Sequence, residues 1–227
     1  MTLPRDDMTW VGIDRPGYGD STRLRGRNPA DVANDCTAVA DAWGVERYAV
    51  VGYSGGGPHA LACAAADARV TWAITVASLA PREGAGSEWY TGMIDSGVAA
   101  LTAAEAGEDA RRDQGGEPYD PEFLDVDLAA LGGELGWLGG GDDGADGAID
   151  DDLAYVRPWG VDLARIKCPV TVVHGTADRI VPVSHGRRLA ALIDTARLIE
   201  MPDHGHVSVL STLPSMLAAA ADRRSSR

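Results

Sequence analysis

Three cysteines in 227 residues are too few for a disulfide framework. Cys36, Cys63 and Cys168 are odd in number, widely separated and set in apolar segments, so they read as reduced core thiols rather than metal ligands. Nowhere do 18 apolar residues run together, which leaves no candidate for a membrane-spanning helix. The opening "MTLPRDDMTW" also lacks the charged-then-apolar plan of a signal peptide, and a cytoplasmic protein is the expectation. Positive charge is scarce as well: 20 basic against 34 acidic side chains give a net charge of −14. Residues 82–160 carry 19 acidic and 4 basic groups, or −15, and the rest carries 15 and 16, or +1. The acidity therefore belongs to one segment. A field of that sign argues against nucleic acid and anionic membrane surfaces as partners.

What the sequence does contain is an alternation of short apolar runs with helical patterns. "TWVGID", "RYAVVG", "TWAITVASLA", "PVTVVHG" and "ARLIEM" read as strands. "NPADVANDCTAVADAW" reads as a helix capped by Asn28 with Pro29 at its first position. Its apolar stripe is Val32, Cys36, Val39, Ala40 and Trp43, and Gly44 supplies the stop. The chain turns alanine-rich and helical from His59 to Asp67, with Pro58 tolerated in the first turn, and helical segments recur at "HGRRLAALI" and "VLSTLPSMLAAAA". Strands alternating with helices predict an α/β fold with a mostly parallel sheet flanked by helices. Residues 1–81 and 161–227 form the core in this reading. Residues 82–160 form an inserted, acidic, helical segment with a Gly/Asp-rich loop, "GGELGWLGGGDDGADG". An EF-hand started at Asp142 would put Gly144 at a ligand position and Leu153 where the glutamate belongs, so no metal is expected there.

The densest punctuation lies in "VVGYSGGGPHALACAAA", where four glycines crowd around Ser54 between a strand and a helix. Gly52, Ser54 and Gly56 have the G-x-S-x-G spacing of a nucleophile elbow, in which a strained turn lifts the hydroxyl above the sheet. Glycines at 52 and 56 are expected where a Cβ would block the passing backbone. A serine hydroxyl near pH 7 needs a base, and the base needs a carboxylate to orient it. Asp178, in "HGTADRIVP", and His206, in "MPDHGHVSVL", each follow a strand and can reach the same sheet edge. His204 competes for the role of base, and Glu83 for that of acid. His59 is expected to pack behind the turn, His174 to be structural at a strand end, and His185 to sit solvated at a helix start. Asp14 and Arg15 are expected only to shape their loop.

Taken together, "DRPGYGDS", "GYSGGGPHALACAAA", "HGTADRIVP" and "PDHGHVSVL" resemble the α/β-hydrolase superfamily in its capped, esterase- and lipase-like branch. The resemblance covers both core segments. It implies Ser54 as nucleophile, Asp178 as acid, His206 (preceded by Gly205) as base, the Gly55 N–H as an oxyanion donor, and residues 82–160 as a cap. It also implies no cofactor and acyl-enzyme hydrolysis of a small or medium carboxylic ester, with an amide as the lesser expectation; the acidity of residues 82–160 argues against anionic substrates, leaving a neutral and partly apolar small molecule. Cofactor-free, haloperoxidase-like perhydrolysis and a catalytically impaired, non-enzymatic protein are the alternatives. One departure stands out: no His-Gly loop, the family's source of a second oxyanion N–H, precedes "TWVGID". An N-terminally truncated hydrolase is the expectation that follows.

Overall fold

A computed structural model of the chain describes residues 8–114, 121–139 and 145–218. Four strands, β1 (Tyr48–Tyr53), β2 (Val70–Val76), β3 (Val170–Gly175) and β4 (Ala196–Met201), lie side by side in that order, and every pair is parallel. Parallel neighbours need crossovers, which α2 (Gly56–Ala66) makes between β1 and β2 and α7 (Val183–Leu192) between β3 and β4. The crossover from β2 to β3 carries residues 82–160. It contains α3 (Asp95–Ala106), α4 (Glu108–Gln114), α5 (Asp125–Leu131) and α6 (Ala145–Val156), and residues 115–120 and 140–144 of it lie outside the described residues.

Side-chain alternation distributes the strands between two cores. Trp72, Ile74 and Val76 of β2 join Val173 and the C-terminal Val207, Val209, Leu210, Leu213 and Leu217 on one face. On the other face, Ala73, Val170 and Val172 meet Leu61 and Cys63 of α2, Leu189 of α7, and Ile193. Ile74, Val172 and Val173 are completely buried, and each such side chain contributes about 1.5–3 kcal/mol of transfer free energy. Before β1, α1 (Pro29–Ala42) packs against α2 and begins as its sequence predicts. The Asn28 side chain accepts from Ala30 N (2.9 Å) and Asp31 N (3.3 Å), while the Asp31 carboxylate accepts from Asn28 N (2.8 Å). This reciprocal cap gives three amides at the helix start a side-chain acceptor.

Several sequence expectations differ from the structure. "TWVGID" forms no strand, because a ladder requires a neighbour and no described strand lies beyond β1; Trp10 and Val11 are exposed. Trp43 is 63% exposed, since the apolar face of α1 ends at Ala40 and Gly44 (φ +63°) turns the chain away. Strand β2 stops at Val76, and "ASLA" continues as coil from Ala77, at φ +50°. The closing helix starts as a 3₁₀ turn, Ser208–Thr212, and is helical over 213–218; the alanine tail beyond 218 lies outside the described residues. Of the cysteines, all unpaired, Cys63 is buried, whereas Cys36 and Cys168 are half-buried beside the first core.

Candidate active site

Ser54 leaves the C-terminal end of β1. Its N–H still donates to Val76 O (2.8 Å), extending the ladder by one residue. Its φ of +49° then breaks the strand, and Gly57 N–H bonds back to Ser54 O at 3.0 Å. A serine in the left-handed region costs on the order of 1–2 kcal/mol, which the surrounding packing has to offset. Glycine is required at 52, where a Cβ would run into the Gly56 carbonyl. At 56 it is not: a Cβ there would meet open space. The second close approach is at Gly57, against the Ser78 side chain, because the first turn of α2 rests on the chain leaving β2.

Asp178 follows β3 and His206 follows β4, so both rise from the same sheet edge as Ser54. One oxygen of the buried Asp178 carboxylate accepts from Ile180 N and Val181 N, both at 2.9 Å. The other lies 2.8 Å from His206 Nδ1. On its opposite side the imidazole presents Nε2 to Ser54 Oγ at 2.9 Å. Because an ionised carboxylate only accepts, the proton on Nδ1 points to Asp178 and Nε2 is left to accept from the serine. The arrangement can therefore take a proton from Ser54 and hold the resulting imidazolium against a fixed carboxylate.

The competitors are not brought to this point. His204 is turned to its own loop, with Nδ1 2.8 Å from Pro202 O. Glu83 is exposed and lines a separate groove with Arg82 and Glu105. His59 is buried behind the turn, 3.2 Å from Asp151, and His174 is buried with Nε2 donating to Val181 O at 2.7 Å. His185 is not solvated. It is 2% exposed, accepts from Ala80 N at Nδ1 (3.1 Å) and donates from Nε2 to Trp89 O (2.9 Å), because the chain leaving β2 folds over it.

Residues 82–160 contribute contacts that the sequence did not reveal. Asp127 of α5 is 2% exposed, and one of its oxygens accepts from Val207 N (3.0 Å) and Ser208 N (2.8 Å), immediately after His206. Its other oxygen occupies the space a Cβ at Gly205 would need. Tyr155 of α6 donates its hydroxyl to Gly55 O at 3.0 Å. Asp151, one turn earlier on α6, gathers Arg15 (2.6 Å), Arg27 (2.5 Å), the Tyr18 hydroxyl (2.8 Å) and His59. Burial pushes its carboxyl up, but the His59 hydrogen bond and the two guanidinium charges outweigh this and hold it well below the usual carboxylate range. Arg15 thus does more than shape its loop: it ties that loop to α6.

Beside Ser54 and Gly55 opens a cavity of about 330 Å³. Leu79, Met93, Leu101, Ile180 and Val181 give it an apolar wall, with Arg15, Tyr18 and Asp152 at a polar one. The acids of α6 do not confront it as a bare field, since Asp150 is paired with Arg23 (2.7 Å) and Asp152 with Arg111 (2.7 Å).

A model of the alpha/beta hydrolase fold family matches residues 2–212. The chain is 27% identical over 217 residues to the AB hydrolase superfamily protein YisY of Bacillus subtilis (strain 168), covering 90% of this chain and 76% of that one. Among solved structures, BpoC of Mycobacterium tuberculosis H37Rv, described as a candidate non-heme bromoperoxidase, superposes with a TM-score of 0.64 at 19% identity, over 92% of this chain and 78% of the other. A thermophilic esterase from Thermogutta terrifontis gives 0.59, also at 19% identity, over 91% and 75%.

Proposed function

From the premise that this chain belongs to the alpha/beta hydrolase fold family, we propose that it is a serine hydrolase cleaving small or medium uncharged carboxylic esters through an acyl-enzyme. The observation that carries the reading is the continuous relay from Ser54 Oγ through His206 to Asp178, at 2.9 and 2.8 Å, with the serine in a left-handed turn beside a cavity. His206 takes the Ser54 proton as Oγ attacks the ester carbonyl. It then returns that proton to the alkoxide leaving group, and water repeats the sequence to release the acid. Asp178 keeps the imidazole in the tautomer this requires. The Gly55 N–H, at the positive end of the α2 dipole, faces the developing oxyanion. Residues 82–160 act as the cap, and the apolar wall of the cavity suits an uncharged acyl or alkyl group.

The test is Ser54→Ala, assayed with short p-nitrophenyl esters and a serine-directed fluorophosphonate. Turnover is expected to fall on the order of 10⁴-fold or more, and labelling to disappear. Labelling that persists in the alanine variant would remove Ser54 from the chemistry. A second reading, cofactor-free perhydrolysis by the same side chains, is favoured only by the likeness to BpoC. Peroxide-dependent halogenation in acetate that outpaces ester hydrolysis would select it.

A further inference from the structure

The Gly55 N–H has one weakness as an oxyanion donor: it belongs to the residue type with the greatest backbone freedom, placed directly after a strained serine. At φ −59° and ψ −16° Gly55 caps the N-terminus of α2, and α6 adds a second hold on it. Two side chains one turn apart on α6 grip the first turn of α2 at two points one turn apart. The Tyr155 hydroxyl bonds Gly55 O at 3.0 Å, and Asp151 bonds His59 at 3.2 Å. Tyr155 is 6% exposed and packs among Leu79, Trp89, Met93, Leu101 and Val181. Its hydroxyl fills the space that a Cβ at Gly55 would occupy.

We infer that Tyr155 is a positioning residue for reaction at Ser54: by fixing the Gly55 carbonyl it keeps the N–H of the same residue aimed at the developing oxyanion. The inference rests on the reading of Ser54 as nucleophile. It goes beyond that reading in making the 82–160 segment part of the catalytic geometry and not only a cover. Fixing the carbonyl withdraws torsional freedom from Gly55 before substrate arrives, so the cost of ordering the donor does not fall on the transition state. Burial pushes the phenol well above its ordinary range, and the hydroxyl therefore stays a donor across any usable assay pH.

Tyr155→Phe removes the hydroxyl and keeps the ring. The expected result is a fall in kcat of about 10-fold or more with KM within about twofold, since a transition-state contact is weakened and substrate binding is not. Loss of packing alone would lower the melting temperature without that split. A second variant approaches the same contact from the other side. Gly55→Ala drives a methyl into the Tyr155 hydroxyl and should lower kcat, and Tyr155→Phe in that background should restore part of the loss, reversing the sign of its effect. Fluorophosphonate labelling of wild-type protein, blocked by Ser54→Ala, separates the two levels. If wild type labels and Tyr155→Phe turns over ester as fast as wild type, or if the double variant shows no relief, the inference is overturned and the hydrolase reading stands. If wild type shows no Ser54-dependent labelling, both fall.

Discussion

His206 shares Asp178 with two backbone amides, and this division fixes which proton the histidine carries. Ile180 N and Val181 N take one carboxylate oxygen; the other accepts from His206 Nδ1–H at 2.8 Å, with His174 Nε2 farther off at 3.6 Å. Asp178→Asn would offer that position an amide N–H, force Nδ1 to accept, and put the remaining proton on Nε2, where it opposes Ser54. Turnover is expected to drop by up to about 10⁴-fold with the melting temperature little changed. His206→Ala should be as damaging as the serine change, while His204→Ala and Glu83→Gln should retain most activity. Parallel ester assays of the four variants decide this, and a crippled Glu83→Gln would move the acid to the chain after β2. Residues whose necessity is local were legible beforehand. Gly52 and Ser54 announce a tight turn, whereas the need for glycine at 205 is set by the distant Asp127 carboxylate. Tyr155, Asp127 and Asp151 were not legible, because their meaning depends on where a long crossover folds back, which no spacing in the sequence encodes.

At the scale of elements, the strand-helix alternation was readable wherever a partner exists to realise it. β1, β3 and β4 coincide with apolar runs, and α1 begins at its cap. "TWVGID" has the composition of a strand but no described neighbour to pair with, so composition alone misleads there. The short α5 carries a different lesson. Its Asp127 serves the 3₁₀ turn Ser208–Thr212 as an external cap, accepting two amides that no residue of that turn can satisfy. Asp127→Ala would leave both N–H groups buried and unbonded at a cost of about 2 kcal/mol, or roughly 4–8 °C in melting temperature for a chain of this size. Both bonds use the same oxygen, so Asp127→Asn retains an acceptor and should recover most of the loss. Thermal melts of the two variants separate capping from charge. Equal losses in both would mean that the carboxylate charge, not its hydrogen bonding, holds the loop.

For the whole molecule, acid is expected to act against the usual intuition for a chain with net charge −14 and pI near 4.6. Lowering the pH toward the pI relieves self-repulsion, which taken alone would stabilise the fold. Three buried histidines oppose it. Burial lowers the pKa of each: His185 falls from 6.5 to about 4, and His59 and His174 are shifted in the same direction. Protonation would set His185 Nδ1–H against the Ala80 N–H it now accepts from, and would charge His174 at an Nδ1 with no partner among the described residues. Between pH 6.5 and 4 the unfolded chain thus binds more protons than the folded one, and stability falls as pH drops through that window. His185 alone accounts for about 3 kcal/mol of that fall, from about 1.4 kcal/mol per pKa unit. Asp151, held below the carboxylate range, adds a loss of the same sign below about pH 4. Charge repulsion among exposed groups is screened within about 8 Å at physiological salt, so the desolvated histidines should win. Denaturant melts at 0.15 M salt are therefore expected to show stability declining steadily from pH 7 to pH 4.5. His185→Gln, which keeps one donor and one acceptor but cannot take up a proton, should flatten the decline. A maximum in stability near pH 4.6 would show that surface charge, not the buried imidazoles, governs the pH response.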